Sequence, residues 1–145
     1  MIARNLSEAG AFGPCALAIG NFDGVHLAHR RLLQTTVEAA RGAGVRPAVL
    51  MFDPHPSCVV APERAPRLLT SPEERSALIE EEGIQQVLIQ PFTADLARLT
   101  PEEFAAKFLH DGLGVRIVVV GAVARRRHVG VARRAVRFVG IVLIG

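Results

Sequence analysis

The chain has 145 residues, half of them apolar, and a formal net charge of +3. This length and apolar content predict a single folded domain and argue against a disordered chain. The apolar runs are too short for a membrane-spanning helix, and the mixed first residues do not resemble a signal peptide. Cys15 and Cys58 lack metal-type spacing and are predicted to be two buried thiols. We therefore expect a cytoplasmic protein with no membrane partner.

The charge is distributed unevenly along the chain. Residues 1–121 carry 11 basic and 14 acidic side chains, whereas residues 122–145 carry six arginines and no acidic side chain. The net positive charge of the chain therefore comes from the last 24 residues alone. Because Phe138 is the only aromatic residue near these arginines, they offer no stacking platform, and we expect no nucleic-acid partner.

Four apolar runs in the first 121 residues predict buried strands, because they lack the polar alternation of a half-exposed sheet. The segments between them predict helices and one proline-rich loop. The predicted strands are 16–19, 47–52, 86–90 and 116–120, and the predicted loop is 57–70. Strands that alternate with helices predict an α/β fold of the Rossmann-like kind, with helices flanking a parallel sheet.

Capping residues mark the predicted helix boundaries. Ser71-Pro-Glu-Glu74 and Thr100-Pro-Glu-Glu103 each combine an N-cap hydroxyl, a proline at the first helical position and a capping-box glutamate. The helix after the first strand is predicted to end at Gly42 and Gly44. Its apolar face is predicted to consist of Val25, Leu33, Val37 and Ala40.

Ligands of such folds bind at the carboxyl ends of the strands, which directs attention to residues 20–29, 53–56 and those after Val120. The first segment reads Gly-Asn-Phe-Asp-Gly-Val-His-Leu-Ala-His. Its histidines, His26 and His29, are three residues apart and are expected on one face of the first helical turn. Free N–H groups and a partial positive charge at a helix start favour phosphate.

The spacing of the two histidines alone leaves other readings open. The pair could have no special role, or it could be half of a metal site. The further metal ligands in that case would be Asp23, His55 or Cys58.

The segment 20–29 closely resembles the signature of the bacterial FAD synthetase family, at its N-terminal adenylyltransferase domain. That family belongs to a wider nucleotidyltransferase superfamily. Further segments are similar to the family in the same order, and the resemblance covers roughly residues 14–121. These segments are 50–56, 69–75, 92–93, 99–104 and 118–121.

The resemblance implies a reaction in which AMP passes from ATP to FMN, giving FAD and pyrophosphate, with Mg²⁺ required. By carry-over, His26 and His29 are the catalytic residues, which contact the ATP phosphates and stabilise the transition state. The implied ATP-binding residues are Gly20, Asn21, Phe22, Asp23, Gly24, His26 and His29. The implied flavin-binding residues are Pro54, His55 and Pro56. No metal held by protein side chains alone is implied.

The end of the chain departs from the family pattern. Family members continue with a flavin-holding segment, a Ser/Thr-rich stretch that ends in arginine, and usually a riboflavin kinase domain. This chain has no Ser or Thr after Thr100 and no Asp, Glu or Asn after Asp111. We therefore expect a partial FAD synthetase-like domain at 1–121 and no riboflavin kinase domain.

Residues 122–145 are expected to be an arginine-rich tail that arises from a frameshift or truncation and impairs activity. The alternative is a natural tail in which residues 133–144 form a last strand.

Two other functions also stay open. One is a different small-molecule nucleotidyltransferase, for example one acting on pantetheine phosphate, although the Asp-Pro-His-Pro and Phe-Thr segments argue against it. The other is a non-catalytic remnant that binds adenine nucleotide.

Ala28 stands where the family usually has glycine between the two histidines. Its methyl group is expected to crowd a bound phosphate and weaken ATP binding without abolishing it. We predict that Ala28→Gly binds ATP more tightly than the parent chain in a calorimetric titration. Equal affinities would contradict the crowding.

Overall fold

The computed structural model describes residues 1–25, 27–120 and 137–141, and within these ranges one parallel sheet of six strands is present. The strands are β1 (Ile2–Ala3), β2 (Cys15–Ile19), β3 (Arg46–Phe52), β4 (Gln86–Gln90), β5 (Val115–Val120) and β6 (Arg137–Ile141). Their order across the sheet is β1-β4-β3-β2-β5-β6, and every neighbouring pair is parallel. The predicted α/β fold with a parallel sheet is confirmed.

The helices of the described residues connect these strands. They are α1 (Leu27–Ala43), α2 (Pro56–Val60), α3 (Pro72–Glu81), α4 (Ala94–Ala97) and α5 (Pro101–Glu103), which continues as a π-helix at Phe104–Gly112. Short 3₁₀ turns lie at Glu8–Ala11, Asp23–Val25 and Pro62–Arg64. Both predicted capping boxes are present, at Ser71 and Thr100. No helix of the described part of the chain is long and apolar enough to cross a bilayer.

Both faces of the sheet are buried, which explains why its strands are uninterrupted apolar runs. Successive residues of a strand point to opposite faces. In β2, Ala16 and Ala18 join the core cluster that contains Leu33 of α1. Cys15 and Leu17 join the opposite cluster, which contains residues of the π-helix. Helices therefore cover the sheet on two sides.

The strand order places a change of winding direction beside β2. The chain proceeds from β2 to β3 and β4 on one side, and it then returns to place β5 on the other side of β2. In open α/β sheets, ligands bind in the crevice outside the carboxyl ends of the strands at such a point. The turn that follows β2 therefore occupies the position where a ligand is expected.

The structure departs from the sequence predictions in the shortest elements. The sequence patterns predicted neither strand β1 nor helices α2 and α4. Helix α2 interrupts the predicted loop 57–70, because the side chain of His55 caps its first turn. Val25 lies in a 3₁₀ turn before α1 and not on the helical face. Strand β6 falls in the segment proposed as an alternative last strand, whereas residues 121–136 and 142–145 lie outside the described residues.

The two cysteines differ in their environment. Cys15 is fully buried in β2, as predicted, and burial raises the pKa of its thiol to about 12. The prediction for Cys58 is wrong, because this residue is exposed. It lies on α2, a helix of five residues with no buried side chain. A helix that short does not cover the sheet, so its thiol stays in contact with solvent.

The end of α1 depends on Gly44 and not on Gly42. Gly44 has a φ of 66°, whereas Gly42 lies inside the helix. The N–H of Gly44 donates to Arg41, and the N–H of Val45 donates to Ala40. These two bonds form a Schellman motif, in which a left-handed residue closes the helix.

We predict opposite effects of alanine at these two glycines. A Cβ added at either position meets no atom within 4 Å, so the effect is conformational. Gly42→Ala should raise the free energy of unfolding by about 0.5–1 kcal/mol, because alanine favours the helix interior. Gly44→Ala should lower it by about 1 kcal/mol, because alanine disfavours a positive φ. Urea denaturation of both variants checks this, and shifts of the same sign would contradict the assigned helix end.

Candidate functional site

The turn that joins β2 to α1 has a close packing around Gly20. The N–H of Gly20 donates to the carbonyl of Leu50 in β3, at 3.1 Å. A Cβ placed on Gly20 would lie 3.1 Å from Cε2 of the Phe22 ring. Phe22 is itself buried, with 1% of its surface exposed. Glycine at position 20 therefore allows the chain to turn directly over this ring.

The next residues adopt a strained backbone. Phe22, Gly24 and Val25 have φ angles of 54°, 70° and 43°. Glycine tolerates this region, but a phenylalanine and above all a β-branched valine do not, at a cost of roughly 1–3 kcal/mol each. Such strain persists only where surrounding contacts enforce it, and it concentrates at functional sites. The turn between β2 and α1 is thus held in shape by its neighbours.

Asp23 supplies one of these contacts. Its carboxylate accepts hydrogen bonds from the backbone N–H of Leu69, at 2.8 Å, and of Thr70, at 3.0 Å. The hydroxyl of Thr70 donates to the same carboxylate, at 2.8 Å, and accepts from the N–H of Gly24, at 3.2 Å. Partial burial raises the pKa of Asp23, but these hydrogen bonds outweigh it and the pKa falls below its ordinary value. Asp23 therefore binds the segment before α3 to the turn.

Arg75 supplies a second contact in the opposite direction. This side chain is fully buried in α3. Its Nη1 donates to the carbonyl oxygen of Asn21, at 2.8 Å, and to the side-chain oxygen of the same residue, at 2.9 Å. Its Nε lies 3.4 Å from the carbonyl oxygen of Ser71. Arg75 thereby fixes both the main chain and the side chain of Asn21.

Thr70 and Arg75 were not among the site residues predicted from the sequence. Both lie in the segment 69–75 that was compared with the family, but nothing in its spacing relates it to the turn after β2. One signal was available: a single arginine follows a capping box in a helix whose first turn is acidic. A basic residue near a helix start is unfavourable for the helix dipole, and this indicates a role outside the helix.

His29 lies in the first turn of α1, next to the strained turn. Its ring packs against that of Phe22, with centroids 5.3 Å apart and planes inclined by 60°. The ring is half-buried, so packing limits its orientation. His26 lies outside the described residues, and its predicted place on the same helical face stays a prediction. The side chain of Ala28 is likewise not described.

The second predicted segment follows β3. Pro54 is exposed, whereas His55 and Pro56 are half-buried. Nδ1 of His55 accepts a hydrogen bond from the N–H of Ser57, at 3.1 Å, and so caps α2. An imidazole that accepts at Nδ1 carries its proton at Nε2. Nearby, the rings of Phe52 and Phe92 meet edge to face at 5.2 Å.

The alternative reading of the histidines as half of a metal site includes His26, which lies outside the described residues, and it stays open. Among residues 1–25, 27–120 and 137–141, no three His, Cys, Asp or Glu side chains come together. Asp23, one of the ligands considered for such a site, directs its carboxylate to Leu69 and Thr70.

Comparison with known proteins agrees with the resemblance. The sequence model of the family described as FAD synthetase matches residues 10–130. The chain belongs to the FAD synthetase family. The match extends past residue 121, where the composition of the chain changes.

Individual members of the FAD synthetase family support the same conclusion. A protein named bifunctional riboflavin kinase/FMN adenylyltransferase from Escherichia coli K12 is 39% identical over 118 residues, which cover 81% of this chain and 37% of that protein. Its namesakes from Pseudomonas fluorescens and Bacillus subtilis are 39% and 35% identical, over 74% and 72% of this chain. The matches cover 34% and 33% of those two proteins. The chain thus spans about a third of the length of these relatives.

Solved structures of similar fold include a macrolide-efflux protein from Streptococcus pneumoniae, with a TM-score of 0.71 over 84% of this chain and 41% of that chain. The two sequences are 24% identical, so this likeness concerns the fold alone.

We predict that the contacts of Asp23 stabilise the fold in a pH-dependent way. Asp23→Asn should lower the free energy of unfolding at pH 7 by about 1–2 kcal/mol, because the amide loses the charge and turns N–H groups toward donors. Since the folded-state pKa is lowered, this contribution is present above the unfolded pKa and is lost as the pH falls through the folded value.

Urea denaturation of both proteins between pH 7 and about pH 3 measures this effect, and their difference should shrink toward acid. Asp95→Asn is the matched control, because Asp95 is 90% exposed and pairs with Arg98 on the surface. A difference for Asp23→Asn that stays constant with pH would contradict the role of the charge.

Proposed function

We propose that this chain is an FMN adenylyltransferase, which transfers AMP from ATP to FMN and releases pyrophosphate. The observation that carries the proposal is the strained turn after β2, held at the winding change of the sheet beside His29. Membership of the FAD synthetase family supports the assignment. The cytoplasm stays the expected compartment, with FMN as substrate and FAD as product.

The proposed reaction is a single displacement at phosphorus. A phosphate oxygen of FMN attacks the α-phosphorus of ATP and forms a new P–O bond. The bond between the α-phosphorus and the bridging oxygen to the β-phosphate breaks, and its electron pair leaves with pyrophosphate. Because no covalent enzyme intermediate is involved, the protein's task is to position both substrates and to stabilise the charge that develops.

The start of α1 is suited to the leaving group. A helix of 17 residues carries partial positive charge and free N–H groups at its N-terminus. Negative charge grows on the β-phosphate as the bond breaks, so donors placed there stabilise the transition state more than the ground state. His29, packed on Phe22, is proposed as one such donor, and His26 as the second.

The remaining predicted site residues fall into two groups. Gly20, Asn21, Phe22, Asp23 and Gly24 are proposed to form the turn beneath ATP, where Asp23 acts through the protein and not as a direct ligand. Pro54, His55 and Pro56 are proposed to face FMN from the end of β3. Mg²⁺ is proposed to arrive with ATP as the substrate complex, because Mg²⁺ is commonly bound through substrate phosphates.

We predict that His29→Asn forms FAD about 10²–10³ times more slowly than the parent chain, because one transition-state donor is lost. The measurement is chromatographic detection of FAD after the purified chain is mixed with ATP, Mg²⁺ and FMN. His110→Asn is the matched control. His110 is an exposed histidine that pairs with Asp111 in the π-helix, on the segment that leads into β5.

The outcomes separate the candidate functions. FAD formation that is lost with His29→Asn and kept with His110→Asn supports the adenylyltransferase. ATP binding without any FAD would instead select the nucleotide-binding remnant. FAD formation that both variants retain equally would remove His29 from the mechanism.

A further inference from the structure

Arg75 is a buried charge without a neutralising partner among the described residues. It is fully buried, yet its hydrogen bonds go to neutral oxygens of Asn21 and Ser71. Asp23 and Glu73 both lie near enough for the guanidinium to contribute to the lowered pKa of their carboxyls, but neither forms an ion pair with Arg75 within 4 Å. The charge is therefore only partly offset by the protein.

One nitrogen of Arg75 has no hydrogen-bond acceptor in the part of the chain that the structure describes. Nη2 is buried from solvent and makes no hydrogen bond there. A buried guanidinium that lacks both a counterion and part of its hydrogen bonds contributes little to the stability of a fold, because its desolvation cost is not recovered. An apolar side chain of similar length would be expected to stabilise α3 equally well. The stability of α3 alone therefore does not explain why position 75 is an arginine.

The contacts of Arg75 point to that reason. Asn21 directly precedes Phe22, the first residue of the turn with a positive φ. By binding both the carbonyl and the side-chain oxygen of Asn21, one guanidinium nitrogen fixes the direction in which the chain enters the strained turn. The same turn leads into α1, whose start is the proposed phosphate site. A positive charge beneath this site would also attract a triphosphate, since charges act more strongly in a dry protein interior than in water.

We propose that Arg75 is a positioning residue for adenylyl transfer, which sets the conformation of the turn through Asn21 and whose buried charge attracts the phosphates of ATP. This inference rests on the proposed function. It separates two contributions of one side chain: the two-point contact with Asn21, and the charge.

Two substitutions at position 75 distinguish these contributions. Arg75→Lys keeps the charge, but its shorter side chain lacks the Nε that contacts Ser71 and the rigid plane that aims Nη1 at both oxygens of Asn21. ATP affinity should therefore stay within about threefold of the parent, while kcat falls about tenfold or more. Arg75→Met loses both the charge and the contact, so the Kd for ATP should rise about tenfold and kcat/KM should fall about a hundredfold. Thermal unfolding of Arg75→Met should occur near the temperature of the parent chain, because removal of a buried charge offsets the loss of the hydrogen bonds to Asn21.

The control is Arg41→Met, because Arg41 is an exposed arginine in the last turn of α1, at the opposite end of the helix from the site. It should leave ATP titration and FAD formation unchanged. A double-mutant cycle with Asn21→Ala adds a readout that stability alone does not move. The losses in kcat from Asn21→Ala and Arg75→Lys should overlap in part, because Asn21→Ala removes the side-chain oxygen that Nη1 contacts and leaves the carbonyl oxygen in place.

The failures of the two proposals are distinguishable. A parent chain that binds ATP but forms no FAD overturns the proposed function. If the parent chain forms FAD and both Arg75→Lys and Arg75→Met are as active as the parent, the role of Arg75 is overturned. If Arg75→Met does not fold, the inference about stability is wrong and the lysine cycle decides the positioning role. Additive losses in that cycle overturn it.

Discussion

Two side chains cross between the turn after β2 and the start of α3 in opposite directions, and the geometry of the candidate site depends on them. Asp23 reaches from the turn to the backbone of Leu69 and Thr70, and Arg75 reaches from the helix to Asn21. Each contact limits a different part of the turn. Together they hold the backbone at positive φ angles that phenylalanine and valine disfavour, and without these contacts the turn would adopt a less strained conformation.

This pair of contacts also connects the two halves of the proposed site. The segment that Asp23 binds is the end of the linker that begins with His55 and α2. The turn after β2 and the residues after β3 are therefore not independent loops on a common sheet. The hydrogen bonds of Asp23 with Leu69 and Thr70 join the end of this linker to the turn.

The sequence alone predicted those features that local chemistry determines. The capping boxes at Ser71 and Thr100 predicted the starts of two helices, and apolar runs located four strands within one residue at every end. The parallel sheet followed from their alternation. Strand β1 was missed because two residues give no periodicity, and it forms only by pairing with β4, far along the chain.

The supporting contacts of the site were beyond prediction for a similar reason. Asp23 and Leu69 are 46 residues apart, and Arg75 and Asn21 are 54 residues apart. No periodicity or motif spacing relates positions at such separations. Asp23 was predicted to form part of the turn beneath the nucleotide, but its contacts with Leu69 and Thr70 were not predicted. The resemblance identified the residues of the turn, but only the fold reveals what holds them.

The two thiols differ in solvent exposure, so one of them can be labelled selectively for spectroscopy. With a pKa of about 12 and no contact with solvent, Cys15 stays protonated and inert toward maleimides. Cys58 is exposed, so a fluorophore added to the unmodified chain attaches there alone among the described residues. It then sits three residues from His55, where its emission would report on whatever binds beside β3, without any engineered cysteine.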